Sequence, residues 1–264
     1  MITCGIDVGS LTAEAVIWEG QGLVAYSLIP TGPDSAATAA EALQEALKKT
    51  EIRPQDIEFT VATGYGRVIV PFAQRNLSEI SCHARGAHYF LPSVRTVLDM
   101  GGQDCKVIRC DERGKVANFL MNDKCAAGTG RSLEVMAHLL QIRLEDMGPL
   151  SLEAPGPLLK ISNTCVVFAK TEVLALRRQG VPLNQILAGL CDGVAEQVKA
   201  LIRRVGLEED FVITGGISKN IGVVKRLEEK LGMQAHLCWE PQIVGAVGAA
   251  LFAVDFLQKK SVTI

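Results

Sequence analysis

The chain has 264 residues, of which 48% are hydrophobic and 21% are charged, and its net charge is −2. This length and apolar content suit one large or two modest domains with a proper core. Because no long basic run occurs, the composition offers no electrostatic footprint for nucleic acid. No signal-peptide pattern and no apolar stretch of transmembrane length is found either. We therefore expect a cytoplasmic protein that binds neither nucleic acid nor membranes.

The chain carries eight cysteines, and a cytoplasmic protein should keep them reduced. They lie at positions 4, 82, 105, 110, 125, 165, 191 and 238. None forms a C-x-x-C pair, and the C-x₄-C of Cys105 and Cys110 lacks the rest of a plant-type ferredoxin run. Taken one at a time, most of these thiols are expected to be small buried hydrophobic residues.

An internal repeat relates the beginning of the chain to its middle. Residues 6–29 and 98–120 both read as an apolar strand ending in Asp-x-Gly, a second strand, a turn with Gly and a third strand. Asp7 corresponds to Asp99 in this alignment, and the glycines two residues later correspond as well. The repeat predicts two related α/β halves, each of which starts with a three-stranded antiparallel meander.

Helical segments fill most of the remaining chain. Capping residues and the spacing of Ala and Leu predict helices at 34–49, 131–143, 166–180, 184–206 and 245–258. A further strand that breaks into a Gly-Gly turn and a helix is predicted from residue 211 onward. The Pro- and Gly-rich stretch 148–158 predicts a loop inside the second half.

A phosphate site would have to be built without the common loops, because neither a P-loop motif nor G-x-G-x-x-G occurs. A hairpin with Gly at its bend lets backbone N–H groups approach an anion closely. The candidate ATP-binding residues are Gly9, Ser10 and Thr12 in the first loop, Gly101, Gly102 and Gln103 in the second, and Gly215 and Gly216 beside an adenosine. Two such loops facing each other would clamp the phosphates of a nucleotide from both sides.

The acids at the ends of the two repeated strands are candidates for a cation site. Asp7 and Asp99 can hold Mg²⁺, and we expect this to occur through water, because that ion keeps part of its hydration shell. The strand ends and the second loop also supply the candidate catalytic residues, which are Asp7, Asp99, Gln103 and Asp104.

Seven short motifs taken together resemble one family of ATPases. They are GIDVGS, TGYGR, EISCHARGA, DMGGQD, MNDKCAAGTGR, NTCVVFA and TGGISKN, and they run nearly end to end. The pattern is similar to the BcrA/BadF/BzdQ/HgdC-type ATPases of the acetate kinase, heat-shock chaperone and actin superfamily, and most of all to activators of 2-hydroxyacyl-CoA dehydratases. The resemblance implies two related α/β domains with a nucleotide cleft between them. The expected domains are 1–95 plus about 245–264, and 96–244.

The resemblance also implies a metal cluster. Cys125 and Cys165 match the ligands of a [4Fe–4S] cluster that two subunits share, while Asp7 and Asp99 match the Mg²⁺-associated acids. A cubane needs four thiolates, and a two-fold dimer would supply this pair twice. Each cysteine also precedes a predicted helix, whose N-terminal partial charge favours an anionic group.

Several positions depart from the family pattern or stand outside it. Glu14 lies where the family often has Lys, and Lys106 in the second loop is the candidate to compensate. Lys170 stands where an acid is usual, and Cys105 where alanine is common. His83 is expected to be a hydrogen-bonded interior histidine rather than a ligand.

The resemblance implies an ATP-dependent activator that works as a homodimer. Reduced ferredoxin or flavodoxin would load its cluster, and ATP with Mg²⁺ would drive one electron into an iron–sulfur dehydratase. A benzoyl-CoA reductase or another double-cubane reductase is the alternative acceptor. Two readings of another class also stay open, a small-molecule kinase and a non-redox regulatory ATPase of the same superfamily.

Overall fold

The computed structural model describes residues 1–122, 128–162 and 165–262, and the expected cluster ligand Cys125 lies outside them. The strands within these ranges are β1 Ile2–Val8, β2 Thr12–Glu19, β3 Gly22–Pro30, β4 Phe59–Thr63, β5 Arg75–Asn76, β6 Thr96–Met100, β7 Cys105–Cys110, β8 Val116–Asn122, β9 Phe211–Thr214 and β10 His236–Leu237. The helices are α1 Ser35–Leu47, α2 Glu79–Phe90, α3 Gly130–Leu140, α4 Leu144–Leu152, α5 Val166–Arg178, α6 Leu183–Val205, α7 Ile221–Leu231 and α8 Val244–Val262. No helix of the described part is both long and apolar enough to cross a bilayer.

The strands form two sheets with the same topology. One sheet has the order β3-β2-β1-β4-β5, and the other, read from its opposite edge, has the order β8-β7-β6-β9-β10. In both sheets the first three strands are an antiparallel meander, and the fourth strand pairs in parallel with the first. The expected α/β fold class is therefore confirmed, and so are the repeat and its two meanders.

The shared topology places equivalent residues at equivalent points of the two sheets. Asp7 lies near the end of β1 opposite Glu14 of β2, and Asp99 lies near the end of β6 opposite Lys106 of β7. Opposed residues of an antiparallel pair project from the same face of the sheet. The two aspartates therefore differ in the charge of their cross-strand neighbour, one acidic and one basic.

The first sheet is covered by helices on both faces, as its buried residues require. On one side α1 contributes Ala39, Ala42 and Ala46, which have helical spacing and no exposed surface. On the other side α8 crosses β1 at Gly5, where a Cβ would collide with the backbone of α8 at Ala246. Glycine is thus required at that crossing, and α8 packs closely, as its small residues predicted.

Helix α8 also packs on α2, which lies between the two sheets. The contact is close at Gly248, where a Cβ would meet the backbone of Cys82. The second sheet packs on a larger cluster of apolar side chains from α3, α5, α6 and α7, in which Leu98, Met136 and Ile186 are buried. The expected boundary at residue 95 and the assignment of 245–264 to the first half stay predictions.

The predicted helices match the observed ones to within a few residues; α2 was not predicted, and two further differences occur. Helix α3 ends at Leu140 because Gln141 adopts a left-handed conformation, with φ of 56°. The loop predicted at 148–158 is wrong over its first residues, since α4 runs to Leu152 with Pro149 inside it. Helix α4 still forms there because its short length leaves few N–H groups to pair, while Met147 and Ser151 are buried against the core.

Candidate functional site

The two predicted phosphate loops lie directly against each other. A Cβ at Gly102 of the second loop would lie 2.5 Å from Leu11 Cγ and 2.9 Å from Ser10 Oγ in the first loop. The first loop is closed by a hydrogen bond of 3.0 Å from the Gly9 N–H to the Thr12 carbonyl. The glycine at position 102 therefore permits the contact between the halves, and the loops share one cleft.

The predicted adenosine turn closes the same cleft from the side of β9. Gly215 has a positive φ of 82°, and a Cβ there would lie 2.8 Å from Asp99 Oδ1. At Gly216, by contrast, the nearest atom to a Cβ would be Gln242 Nε2 at 3.6 Å, which is ordinary contact. The first glycine is required by its backbone conformation, whereas a side chain at Gly216 would make only ordinary contact with Gln242.

Asp7 and Asp99 are buried and converge on His83, which α2 places between them. His83 Nε2 lies 3.9 Å from Asp7 Oδ2 and 3.7 Å from Asp99 Oδ2. On the other side of the ring, Nδ1 lies 3.1 Å from Thr214 Oγ1, and this hydroxyl is 3.2 Å from Asp99 Oδ1. If Thr214 donates its single proton to Asp99, it accepts from the Nδ1–H of His83. His83 is thus an interior hydrogen-bonded histidine, as expected, and it contacts both halves.

The two aspartates respond to their surroundings in opposite directions. Burial raises the pKa of Asp7 to about 7, because the opposing influence of His83 only partly offsets the loss of water. Burial acts in the same direction on Asp99, but His83, Lys106 and two hydrogen bonds outweigh it and hold the pKa of Asp99 below its usual value. Asp99 has enough cationic and polar partners to stay ionised, and Asp7 does not.

Lys106 is buried inside a group of three carboxylates. Its Nζ lies 2.6 Å from Glu79 Oε2, 2.7 Å from Asp104 Oδ1 and 3.3 Å from Asp99 Oδ2. Burial alone would lower the pKa of Lys106, but the three acids outweigh burial and raise it above its ordinary value. An ammonium has three donors, and all three are engaged here. Lys106 therefore does not compensate for Glu14, because it has no donor left for a phosphate.

Glu14 faces the cleft as a buried carboxyl group. It is 4% exposed, and burial followed by the charge of Asp7 raises its pKa well above the usual value. Among the described residues, no lysine, arginine or histidine forms an ion pair with it within 4 Å. The first half of the cleft therefore carries buried acids that lack the cation found in the second half.

This deficit of positive charge fits the expected Mg²⁺. Asp7 and Asp99 offer oxygen ligands of the kind that Mg²⁺ prefers, and a divalent cation near Asp7 would supply the counter-charge that it lacks. Asp7 and Asp99 are the residues that would hold the ion, with the nucleotide's phosphates completing its surroundings.

The other two expected catalytic residues have different surroundings. Asp104 is held by Lys106 and by a backbone hydrogen bond of 3.0 Å from Gly101 to its carbonyl, so it organises the loop. Gln103 lies exposed at the tip of the same loop, on the cleft side of β6 and β7. The roles of both residues stay predictions.

Cys165 lies at the N-terminal end of α5, where it is the N-cap residue and is partly exposed. It lines a small cavity together with Gly128, which directly follows the residues around Cys125 that lie outside the described ranges. The first N–H groups of α5 have no side-chain cap, so they are available to an anionic group. The described part of this region suits a thiolate-bound cluster, with Cys165 as one ligand.

The second phosphate loop is joined to the helix that follows Cys125 by two backbone hydrogen bonds. The N–H of Gly130 donates to the Gly101 carbonyl at 3.0 Å, and the N–H of Arg131 donates to the Gly102 carbonyl at 2.8 Å. These are the first two helical residues of α3. A shift of the phosphate loop would therefore be transmitted directly to α3.

Most of the remaining cysteines are buried, as predicted for thiols without a local partner. Burial raises the pKa of Cys82 and of Cys105 to about 12, so both stay protonated and unreactive near neutral pH. Cys4, Cys110 and Cys191 are buried as well. Cys105, which stands where the family commonly has alanine, donates to the Gly128 carbonyl at 3.5 Å.

Sequence reasoning missed the part played by α2. This helix begins after Ser78, whose hydroxyl accepts from the N–H of Ser81, and it carries Glu79 and His83 one turn apart. Ser78 followed by an acid was the signal for a helix start, and the spacing of four placed both side chains on one face. What these side chains reach could not be read from the chain, because their partners lie in other elements.

The chain was compared with families, curated proteins and solved structures. A family model described as the BadF/BadG/BcrA/BcrD ATPase family matches residues 4–253. The activator of lactoyl-CoA dehydratase from Anaerotignum propionicum is 45% identical over 261 residues, which cover 98% of this chain and 100% of the relative.

Two solved structures are similar in fold over nearly their whole length. The activator of the 2-hydroxyisocaproyl-CoA dehydratase from Clostridium difficile with bound ADPNP has a TM-score of 0.95 and 37% identity, with 100% of this chain and 98% of that chain covered. Component A of the (R)-2-hydroxyglutaryl-CoA dehydratase of Acidaminococcus fermentans has a TM-score of 0.93 and 42% identity, with 98% and 99% covered. The same two-sheet architecture, nearly full coverage and the family match together establish that this chain belongs to the BadF/BadG/BcrA/BcrD ATPase family, as its motifs predicted.

Proposed function

We propose that this protein is an ATP-dependent activator that delivers a low-potential electron to a 2-hydroxyacyl-CoA dehydratase. The observation that carries the proposal is the direct link between the second phosphate loop and α3, through Gly101 and Gly102. Under this proposal, the two backbone hydrogen bonds would join the nucleotide site to the start of the helix that follows Cys125. The relatives named as dehydratase activators support the choice of acceptor.

The nucleotide half of the proposal rests on the cleft. The loop that contains Ser10 and Leu11 lies against Gly102 of the second loop, and the turn at Gly215 and Gly216 is the proposed contact for an adenosine. A similar structure in the same family contains ADPNP, a nucleotide analogue. ATP would bind with its phosphates between the loops and with Mg²⁺ near Asp7 and Asp99, and the ion would add positive charge beside Asp7, which has no lysine or arginine partner among the described residues.

The redox half rests on Cys165 and its helix. A [4Fe–4S] cluster bound by Cys125 and Cys165 of two chains would supply one-electron chemistry at the start of α3 and α5. The exposed side chains of Val167 and Phe168, 67% and 66% accessible, lie in the first turn of α5 beside this site. Such an apolar surface next to Cys165 supports the proposal that a second copy of the chain covers it.

Under this proposal the two halves have distinct tasks. The cleft between the halves, expected at 1–95 plus about 245–264 and at 96–244, changes with the state of the nucleotide, and α3 transmits that change. Ferredoxin or flavodoxin is the proposed electron donor, and an iron–sulfur dehydratase is the proposed acceptor. A cytoplasmic location is the expected setting for these partners.

The proposal is tested by replacing Cys165 with Ala in protein purified without oxygen. We expect wild-type protein to contain about four iron atoms per two chains and to activate a 2-hydroxyacyl-CoA dehydratase only with ATP and a reductant. The Cys165→Ala variant should lose both the iron and the activation. Cys238→Ala is the matched control, because Cys238 is a partly exposed thiol outside both sites, and it should keep them.

Two results would contradict the proposal. Wild-type protein that contains no iron after anaerobic purification would exclude a cluster. Iron-loaded protein that activates a benzoyl-CoA reductase but no 2-hydroxyacyl-CoA dehydratase would overturn the choice of acceptor while leaving the cluster in place.

A further inference from the structure

Three carboxylates surround the ammonium group of Lys106, in the arrangement that a bound metal cation would also require. The ammonium lies at the centre of three carboxylates that come from three places, namely Glu79 of α2, Asp99 of β6 and Asp104 of the loop between β6 and β7. Lys106 is 2% exposed, so water does not share these contacts to any extent. Its three N–H donors and the three carboxylates match one to one.

The same carboxylates could hold a metal ion if the ammonium were absent. One oxygen from each of Glu79, Asp99 and Asp104 lies within 4.8 Å of the other two. Divalent cations with hard character bind such groups of carboxylate oxygens. Three acids around a single ammonium also leave an excess of negative charge, which would favour a doubly charged ion over a single positive charge.

We propose that Lys106 is a positioning residue for the Mg²⁺ of the nucleotide site, because it occupies a carboxylate cage that would otherwise bind a divalent cation. The cage is the set of Glu79, Asp99 and Asp104. Lys106 orients Asp99 at the edge of the cleft through a contact of 3.3 Å, and it keeps a second ion from drawing Asp99 away from the nucleotide. The inference rests on the binding of ATP with Mg²⁺ in the proposed function.

A direct contact between Lys106 and phosphate is the obvious alternative, since lysines near phosphate loops often bind phosphate. The geometry disfavours it, because every donor of Lys106 is already directed at a carboxylate. Moving the ammonium to a phosphate would leave the buried Asp99 without its cation, which is costly. The two roles also differ in their dependence on Mg²⁺, so an experiment can separate them.

The first test counts Mn²⁺ ions bound to nucleotide-free protein by electron paramagnetic resonance. We expect Lys106→Ala to bind about one Mn²⁺ per chain more than the wild type, because the freed cage has three carboxylate ligands. The double variant Lys106→Ala with Asp104→Asn should lose that additional ion. Lys115→Met, a change at an exposed lysine of the same hairpin, is the matched control and should bind as the wild type does.

The second test titrates ADP binding with Mg²⁺, using Lys106→Gln as a variant that keeps a polar side chain. We expect the Mg²⁺ concentration for half-maximal ADP binding to rise by about tenfold, because Asp99 loses its orienting partner. ADP binding in the presence of a chelator should change little. The melting temperature is recorded in parallel. Mn²⁺ should raise the melting temperature of Lys106→Ala more than that of the wild type. This readout can be used even if the variant is only marginally stable.

Two outcomes would overturn the inference. In the first, Lys106→Ala gains neither a Mn²⁺ ion nor stabilisation by Mn²⁺, so the carboxylates are not a latent cation cage. In the second, Lys106→Gln loses ADP affinity to the same extent with and without Mg²⁺, so Lys106 contacts phosphate directly. Neither readout involves the iron–sulfur cluster or the dehydratase, so failure here is distinct from failure of electron transfer.

Discussion

The ends of β1 and β6 occupy equivalent positions in the two sheets, but the pKa values of their aspartates are shifted in opposite directions. Each strand ends its meander with a buried aspartate, yet the residue across the antiparallel pair is Glu14 in one half and Lys106 in the other. The pKa of Asp7 rises to about 7, while that of Asp99 falls below its usual value. A repeated topology thus places two carboxylates alike, but burial raises the pKa of Asp7, whereas His83, Lys106 and hydrogen bonds together outweigh burial at Asp99.

The difference indicates how the two halves contribute to a nucleotide site. The second loop has its own cation and is tied to α2 through Glu79 and to α3 through Gly101, so it is a preorganised element. The first loop has buried acids, Asp7 and Glu14, without an ion pair to a lysine or arginine within the described part of the chain. Under the proposed function, Mg²⁺ bound to a nucleotide would supply positive charge there.

The comparison is tested most strongly by removing each aspartate's charge in turn. Asp99→Asn should lower the free energy of unfolding by roughly 1–3 kcal/mol, because Lys106 loses one of its buried carboxylate partners while it keeps Glu79 and Asp104. Asp7→Asn should be neutral or stabilising in nucleotide-free protein at neutral pH, because the charge it removes is poorly compensated. Both variants should lose ATP hydrolysis. Urea unfolding monitored by circular dichroism measures the stabilities, and equal losses in the two variants would contradict the asymmetry.

A second prediction concerns pH. Because the pKa of Asp7 is raised in the folded state, to about 7 from 3.8, the folded protein binds a proton more readily than the unfolded chain between these values. The contribution of Asp7 to stability is therefore present at low pH and is lost as the pH rises toward 7, by up to about 1.4 kcal/mol per pH unit.

The measurement compares the free energy of unfolding of the wild type with that of Asp7→Asn across this pH range. Taking the difference removes, to first order, the contributions of the titrating groups that both proteins share. The unfolding free energy of the variant, relative to the wild type, should increase from about pH 4 to pH 7. A constant difference over the range would show that Asp7 titrates normally.

A third prediction concerns the contact between the halves. Gly102→Ala should destabilise the protein by about 1–3 kcal/mol and weaken nucleotide binding, because its Cβ would lie 2.5 Å from Leu11 Cγ. Gly216→Ala is the matched control for stability, since the nearest atom to its Cβ would be 3.6 Å away. Thermal melting and calorimetric titration with ADP give both readouts, and unchanged behaviour of Gly102→Ala would mean that the loops do not touch in solution.

The smallest expected effect tests the first half alone. Glu14→Gln replaces a buried carboxyl group, whose pKa is raised well above its usual value by burial and by Asp7, with a neutral group of similar size. Because the raised pKa already disfavours the charged form of Glu14, ADP affinity in the presence of a chelator should increase by less than about tenfold, which is 1.4 kcal/mol. With saturating Mg²⁺ the change should be no larger. Glu19→Gln, at the exposed end of the same strand, should have no effect on ADP affinity. A drop in affinity for Glu14→Gln would instead assign Glu14 a direct role in holding the cation.

Much of the architecture could be predicted because it depends on local and repeated patterns. Alternating apolar strands and Asp-x-Gly turns predicted both meanders, and the spacing of Ala and Leu predicted most helices to within a few residues. The helix that replaces the first part of the expected loop 148–158 was missed because Pro and Gly were taken as breakers, while burial of Met147 and Ser151 stabilises it. Helix α2 was missed because its composition is mixed. Its side chains Glu79 and His83 contact residues that are distant in the sequence, and such contacts cannot be predicted from local spacing.

The sequence by itself determined the α/β class, the repeat and the family, because each depends on residue type and spacing along the chain. Only the tertiary structure decided which carboxylates surround Lys106, that His83 lies between two aspartates from different sheets, and that α3 is bonded to the second loop. These depend on which groups share a small buried volume. In such a volume water is excluded, and burial together with the charges and hydrogen bonds of the neighbours determines whether an acid is ionised.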